Sequence, residues 1–133
     1  MSADFFIDSN IAVYSLGMPS LKRDVARQFI SKRPIISTQV VMETVNVLMK
    51  KFKFEKASAF EAVLEIIDKA DMMDTTPSTV IKAFELSVKY QLSHWDGLII
   101  ASALAANCTT IYSEDMQHGL VIENKLSIVN PFI

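Results

Sequence analysis

Four carboxylates draw the eye in this sequence: Asp8, Glu43, Asp96 and Asp115. Gathered into one cleft they would repel one another, and their pKa values would rise unless a cation intervened. Hard oxygen ligands of this kind suit Mg²⁺ or Mn²⁺. No two of the four stand at a diagnostic spacing, so the chemistry depends on the elements that would bring them together.

Each acid also has a plainer reading. Ser93-His94-Trp95-Asp96 fits a capping box, in which the acid bonds back to the cap residue. Glu43 falls on a polar stripe with Gln39, Asn46 and Lys50, the pattern of a solvated helix face. Asp115 can be a turn former. Asp8 is the hardest to dismiss, because a charge directly after Phe5-Phe6-Ile7 is bound to be half-buried.

The segment 3–7 has an apolar core without alternation, which suits a strand buried on both faces, as in a parallel sheet. Ser9 or Asn10 can cap a short helix to 15, before the Gly17-Met18-Pro19 break. Ser20 opens a helix over 21–32 with Leu21, Val25 and Phe29 on one side. Residues 35–37 form a short strand. Thr38 caps a helix over 39–51 whose apolar side carries Val41, Val45, Leu48 and Phe52. A further amphipathic helix covers 55–69, with Phe60, Val63, Leu64 and Ile67 inward.

Residues 70–74 form a weak strand. Thr76-Pro77 is a helix start, running to 90. Ser93 starts a helix to 106, apolar on most sides, which Asn107 can stop in a left-handed cap. Strands follow at 109–112 and, after a polar loop, at 127–129. This order predicts a doubly wound α/β/α sandwich with a mostly parallel sheet of about five strands, in one domain spanning 1–133. In open parallel sheets, ligands bind outside the carboxyl ends of the strands. Asp8 and Asp115 each follow a strand, Asp96 opens a buried helix, and Glu43 lies one turn into the helix after strand two. All four can face one rim.

Composition sets the bounds. The chain has 133 residues, half of them apolar, with three Gly and four Pro. That is enough for a sizeable core of packed helices and too ordered for a disordered chain. A net charge of -2 excludes a whole-surface footprint for nucleic acid. The single cysteine, Cys108, reads as a small buried apolar residue. There is no uninterrupted run of about 20 apolar residues, and MSADFF does not begin like a signal peptide, so a cytoplasmic protein without a membrane span is expected. Lys50, Lys51, Lys53 and Lys56, interleaved with Phe52 and Phe54, are the clearest basic cluster. They read either as cations favouring a helix end or as a rim that positions an RNA backbone. Ile11, Val13, Tyr14, Leu16 and Met18 are expected to contribute exposed apolar surface.

Four stretches together resemble the PIN-domain nucleases, and most of all the VapC-type toxins of bacterial toxin–antitoxin pairs. They are Phe6-Ile7-Asp8-Ser9-Asn10, Met42-Glu43-Thr44, the run from Leu92 through Asp96 to Ala101, and the run from Ile111 through Asp115 to Gly119. The likeness extends over essentially the whole chain, to Val129-Asn130-Pro131-Phe132. It implies a metal-dependent endoribonuclease using Mg²⁺ or Mn²⁺ and leaving a 5′-phosphate and a 3′-hydroxyl. The implied catalytic and metal-binding quartet is Asp8, Glu43, Asp96 and Asp115, with Asp8 and Asp96 holding the ion most directly. Ser113 matches a small hydroxyl near the metal and Asn10 a polar supporting residue, whereas Glu114 is not expected to be a primary ligand. An RNA substrate, a homodimer and a cognate antitoxin that blocks the acidic pocket are implied as partners.

Three other readings compete. A receiver-type signalling domain shares the length, the parallel sheet and an acidic Mg²⁺ pocket, but no Lys follows the strand at 127–129 to complete its set. A haloacid-dehalogenase-type phosphatase needs Asp-x-Asp, and position 10 is Asn. A catalytically silent PIN fold acting as a binding module is the third.

Overall fold

The computed structural model describes residues 4–133, so the expected start of the first strand at Ala3 lies outside the described residues. The elements run β1 (Phe5–Ile7), α1 (Ser9–Ser15), α2 (Leu21–Ser31), β2 (Ile35–Ser37), α3 (Thr38–Lys50), α4 (Lys56–Asp68), β3 (Asp71–Met73), α5 (Pro77–Tyr90), α6 (His94–Ala105), β4 (Thr110–Tyr112), β5 (Val121–Ile122) and β6 (Leu126–Val129).

The sheet has the order β3-β2-β1-β4-β6-β5. All pairs are parallel except β5 with β6. The chain starts at β1, moves outward through β2 to β3, then returns to lay β4 on the other flank of β1. The direction of winding therefore reverses between β1 and β4, in register Phe5↔Thr110, Phe6↔Ile111 and Ile7↔Tyr112. At such a switch point the two flanking crossovers part, and a crevice opens at the carboxyl ends of the strands. Asp8 and Ser113 are the next residues along β1 and β4.

Phe6, Ile7, Ile36, Ile111 and Ile128 are fully buried, which accounts for the unbroken apolar runs of the inner strands. The helices pack α1 on α2 and α3, α3 on α4, and α5 on α6. One close approach of α5 and α6 is at Gly97. A Cβ there would collide with the Ser87 hydroxyl and stand 2.8 Å from the Ala83 carbonyl oxygen. Glycine thus seats the start of α6 against α5.

Several expectations change. A sixth strand, β5, occupies the expected polar loop. Its hairpin turns through Glu123 and Asn124, both left-handed (φ 51° and 55°), and closes with the Lys125 N–H on the Ile122 carbonyl at 3.0 Å. Such turns are usually signalled by Asn-Gly, and here no glycine marks it. Ser37 rather than Thr38 caps α3, its hydroxyl accepting from the Val40 N–H, while the Thr38 hydroxyl pairs with that of Thr75. Asp8 rather than Ser9 or Asn10 caps α1.

The inward faces of three helices also shift by about one residue. α2 buries Ala26 and Ile30 and leaves Leu21 exposed. α3 buries Val40, Thr44 and Leu48, the Thr44 hydroxyl turning back to the Val40 carbonyl at 2.7 Å. α4 buries Ala59, Val63 and Ile66, leaving Phe60 and Leu64 exposed. Where small residues line the tight seam, the bulky ones are displaced to its edge, so bulk misplaces the stripe. Near α1, Ile11 is fully buried and only Met18 is well exposed. The exposed apolar surface lies instead at Met42 and Trp95, and along Ile81, Phe84 and Val88 of α5.

Candidate functional site

Asp8 ends β1 and begins α1. Its N–H continues the ladder to the Tyr112 carbonyl at 3.0 Å. Its side chain is turned into the crevice and is 5% exposed. Oδ1 accepts from the Ser9 N–H at 2.7 Å, and Oδ2 accepts from the Ser113 hydroxyl at 2.8 Å and Asn10 Nδ2 at 3.3 Å. Burial pushes its pKa to about 6, against the opposing pull of the Ser113 and Ser9 hydrogen bonds, with the charges of Glu43 and Asp96 adding to the rise. Acids from β1, α3 and α6 therefore feel one another.

Asp96 lies in the first turn of α6. The Ser93 hydroxyl caps the helix by accepting the Asp96 N–H at 3.0 Å. Half-buried, the Asp96 carboxyl is raised first by desolvation and then by the charge of Asp115. Asp115 sits in the loop after β4 and is exposed, with Oδ2 taking Asn10 Nδ2 at 3.3 Å. Glu43, half-buried on α3, accepts at Oε2 from Gln39 Nε2 at 3.1 Å. The four sequence-derived acids thus share one rim through these links.

Two polar residues organise them. The Asn10 amide orientation is fixed because its Oδ1 accepts the Glu114 N–H at 3.1 Å, leaving Nδ2 to face Asp8, Ser113 and Asp115. The Ser113 hydroxyl is fully buried and accepts the N–H groups of Asp115 (3.2 Å) and Met116 (3.3 Å) while donating to Asp8. It folds the acidic loop and aims it at the end of β1.

Glu114 faces the other way. Lys22 Nζ meets its Oε2 at 2.6 Å, and the Tyr14 hydroxyl donates to its Oε1 at 2.5 Å. Its partial burial works to raise the pKa, but the Lys22 and Tyr14 hydrogen bonds outweigh that and hold the carboxyl below its ordinary value. Sequence reasoning missed this brace, as Lys22 and Tyr14 carry no local signal toward residue 114. It also missed Gln39, whose Nε2 reaches both Glu43 and the Trp95 carbonyl (3.1 Å), tying α3 to the residue before Asp96. The i, i+4 spacing of Gln39 and Glu43 was the available clue. The two histidines stand apart: His94 stacks on Trp95 at 4.9 Å between ring centroids, and His118 Nδ1 accepts the Asn130 N–H at 3.0 Å.

Among the described residues no three His, Cys, Asp or Glu side chains are close enough to cage an ion. The donor set still fits a Mg²⁺-like ion, which keeps several waters and needs only one or two carboxylates. The desolvated Asp8 and its charged neighbours are the place where such a cation would relieve most strain.

The PIN domain family profile matches residues 5–120. This chain belongs to the PIN domain family. The PIN fold is also seen in solved structures. VapBC2 from Rickettsia felis, bound to a fragment of promoter DNA, superposes with a TM-score of 0.69 at 17% identity, covering 95% of this chain and 98% of that one. VapC20 of Mycobacterium tuberculosis, a toxin that cleaves the sarcin–ricin loop, gives 0.66 at 16% identity, covering 80% and 86%. Comparison with curated protein sequences gives no match. With the PIN family established, the receiver and phosphatase readings fall.

Proposed function

We propose that this PIN domain is a metal-dependent endoribonuclease and the toxin of a toxin–antitoxin pair. Asp8, Glu43, Asp96 and Asp115 are its catalytic and metal-binding acids, with Asn10 and Ser113 in support. The observation that carries this is Asp8: a carboxyl buried at the sheet's switch point, raised to about 6, and sensing Glu43 and Asp96. Asp8 also caps α1, but a buried carboxyl perturbed by neighbouring acids in a crevice is characteristic of functional sites. The VapC20 and VapBC2 likenesses support the toxin reading.

Asp8 and Asp96 are the residues that would hold Mg²⁺ or Mn²⁺ most directly. When bound, the ion contributes Lewis acidity and counter-charge at the phosphodiester. The chain's own contribution is placement. Ser113 and the Ser9 N–H fix both oxygens of Asp8. Asn10 holds Asp115 to the same centre, and Gln39 sets Glu43 at the opposite wall. Glu43 and Asp115 complete the acidic rim, and one of them orients the attacking water.

Met42, Met49, Trp95 and Leu98 line an apolar groove of about 590 Å³ that runs up to Glu43. It supports an antitoxin segment docking beside the acids. The apolar stripe of Ile81, Phe84 and Val88 on α5 supports a homodimer. No helix among the described residues is long and apolar enough to cross a membrane.

The test is cleavage of a mixed RNA pool by the purified protein with Mg²⁺, Mn²⁺ or EDTA, beside Asp8→Asn. Cutting that requires metal and is abolished by the substitution supports the reading. No cutting across several RNA classes with either metal leaves a binding-only PIN fold.

A further inference from the structure

The acidic crevice opens on one side into a smaller cleft of about 240 Å³, reaching from Asn10 and Asp115 to Lys51 and Phe52. The basic cluster of the sequence divides here. Lys51 and Phe52 line this cleft, whereas Lys50, Lys53 and Lys56 do not. The two aromatic residues divide as well. Phe54 packs into the cluster around Leu48, while Phe52 remains 48% exposed.

This presentation is built into the backbone. Lys53 adopts a left-handed conformation (φ 59°), and the Phe54 N–H returns to the Leu48 carbonyl at 3.0 Å. The segment after α3 is thus a fixed corner and not a frayed end. Lys51 Nζ stands 5.7 Å from the centre of the Phe52 ring, and its charge is felt at Glu114 across the cleft. Lys22 already neutralises Glu114, which leaves Asp115 as the one unpaired acid among the described residues lining this cleft, at its end opposite Lys51.

We propose that this cleft is a nucleotide subsite of the nuclease, in which Phe52 stacks one single-stranded RNA base and Lys51 meets the adjoining phosphate. The proposal rests on the ribonuclease reading above. A ring with an exposed face beside a cation is the usual platform for an unpaired base. The volume lies below the roughly 300–1,000 Å³ of drug-sized pockets, in keeping with one nucleotide rather than a helix.

The experiment measures binding of a short 5′-fluorescein single-stranded RNA of mixed sequence by fluorescence polarisation, in EDTA so that nothing is cut, across a salt series. Phe52→Leu weakens binding about 5- to 100-fold, and Phe52→Trp restores it because the stacking face is kept. Lys51→Gln lowers the slope of log affinity against log salt by about one. Lys56→Gln, outside the cleft, changes neither. Wild-type binding that survives both Phe52→Leu and Lys51→Gln overturns the subsite alone, as does an equal loss in Lys56→Gln, which marks diffuse charge attraction. Wild-type protein that neither binds RNA nor cuts it in Mg²⁺ overturns the subsite together with the ribonuclease reading.

Discussion

The Ser113 hydroxyl has one proton to give, and it goes to Asp8 Oδ2 across 2.8 Å, while two backbone N–H groups of the next loop converge on its oxygen. One buried atom therefore fixes both the first acid and the segment that carries the last. Ser113→Ala removes the donor and takes a partner from four groups: Asp8 Oδ2, Asn10 Nδ2 and the N–H groups of Asp115 and Met116. A buried loss of this kind costs about 1–3 kcal/mol. Supporting residues around a metal centre typically matter 10- to 100-fold. Thermal melts and cleavage rates over a Mg²⁺ titration should show both effects, and unchanged rates would remove Ser113 from the site.

Asp8 makes the metal-free protein pH-sensitive in a defined direction. Its carboxyl binds a proton near 6 when folded, against an ordinary value of 3.8. The folded state thus holds more protons in this window. The stabilisation from the protonated form is complete below about 3.8 and is lost as pH rises through about 6. Asp8→Asn imitates the neutral form. In EDTA at pH 8 it should melt higher than the parent, by about 1–3 kcal/mol, with the advantage fading toward pH 4. The same substitution should abolish cleavage. An Asn variant that is less stable at pH 8 would contradict the burial penalty.

Glu114 and Asp115 are neighbours with different expected fates. Glu114→Gln loosens its pairing with Lys22 and Tyr14 but leaves the acidic rim complete, so cleavage should stay within a few-fold of the parent. Asp115→Asn should lose most activity. Parallel rate measurements decide it, and the reverse ranking would exchange their roles.

Gln39→Leu separates stability from function. Gln39 Oε1 is buried without a hydrogen-bond partner among the described residues. An apolar replacement of similar size removes that unsatisfied atom but also the two Nε2 bonds to Glu43 and the Trp95 carbonyl, so the effects oppose and folding stability should change little. Glu43 loses its tether and cleavage should slow. A stability loss without a change in rate would show Gln39 to be purely structural.

Gly97→Ala tests the seating of α6. The added methyl meets Ser87 and the Ala83 carbonyl, and backbone cannot yield as a side chain can. Overpacking of this sort costs about 1–3 kcal/mol. Because Asp96 precedes Gly97 directly, activity should fall more than the melting temperature alone explains. Activity measured well below the melting point distinguishes the two.

The parallel core of the sheet was legible because β1 and β4 rest on strong local signals. Unbroken apolar runs ending in Asp8 and before Ser113 mark inner strands, and Thr76-Pro77 marks a helix start that the structure keeps. The mostly parallel sheet and the family membership follow that reading. The second tier was hidden because it depends on partners far apart in sequence: Lys22 and Tyr14 with Glu114, and Gln39 with the Trp95 carbonyl. The helix faces slipped by a residue because Ala26, Thr44 and Ala59, small or polar, fill the tight seams that bulk alone would assign to Val25, Val45 and Phe60. The β5 hairpin escaped because Glu123 and Asn124 adopt left-handed turns without a glycine to announce them.

The pairing of β1 with β4 also has a consequence in time. Asp8 and its partner Ser113 are made 105 residues apart. A ribosome must release the chain from β1 through β4 before the crevice can close. Contacts of such sequence separation form late and slowly. On the ribonuclease reading proposed above, a nascent chain has no complete crevice until β4 has left the ribosome.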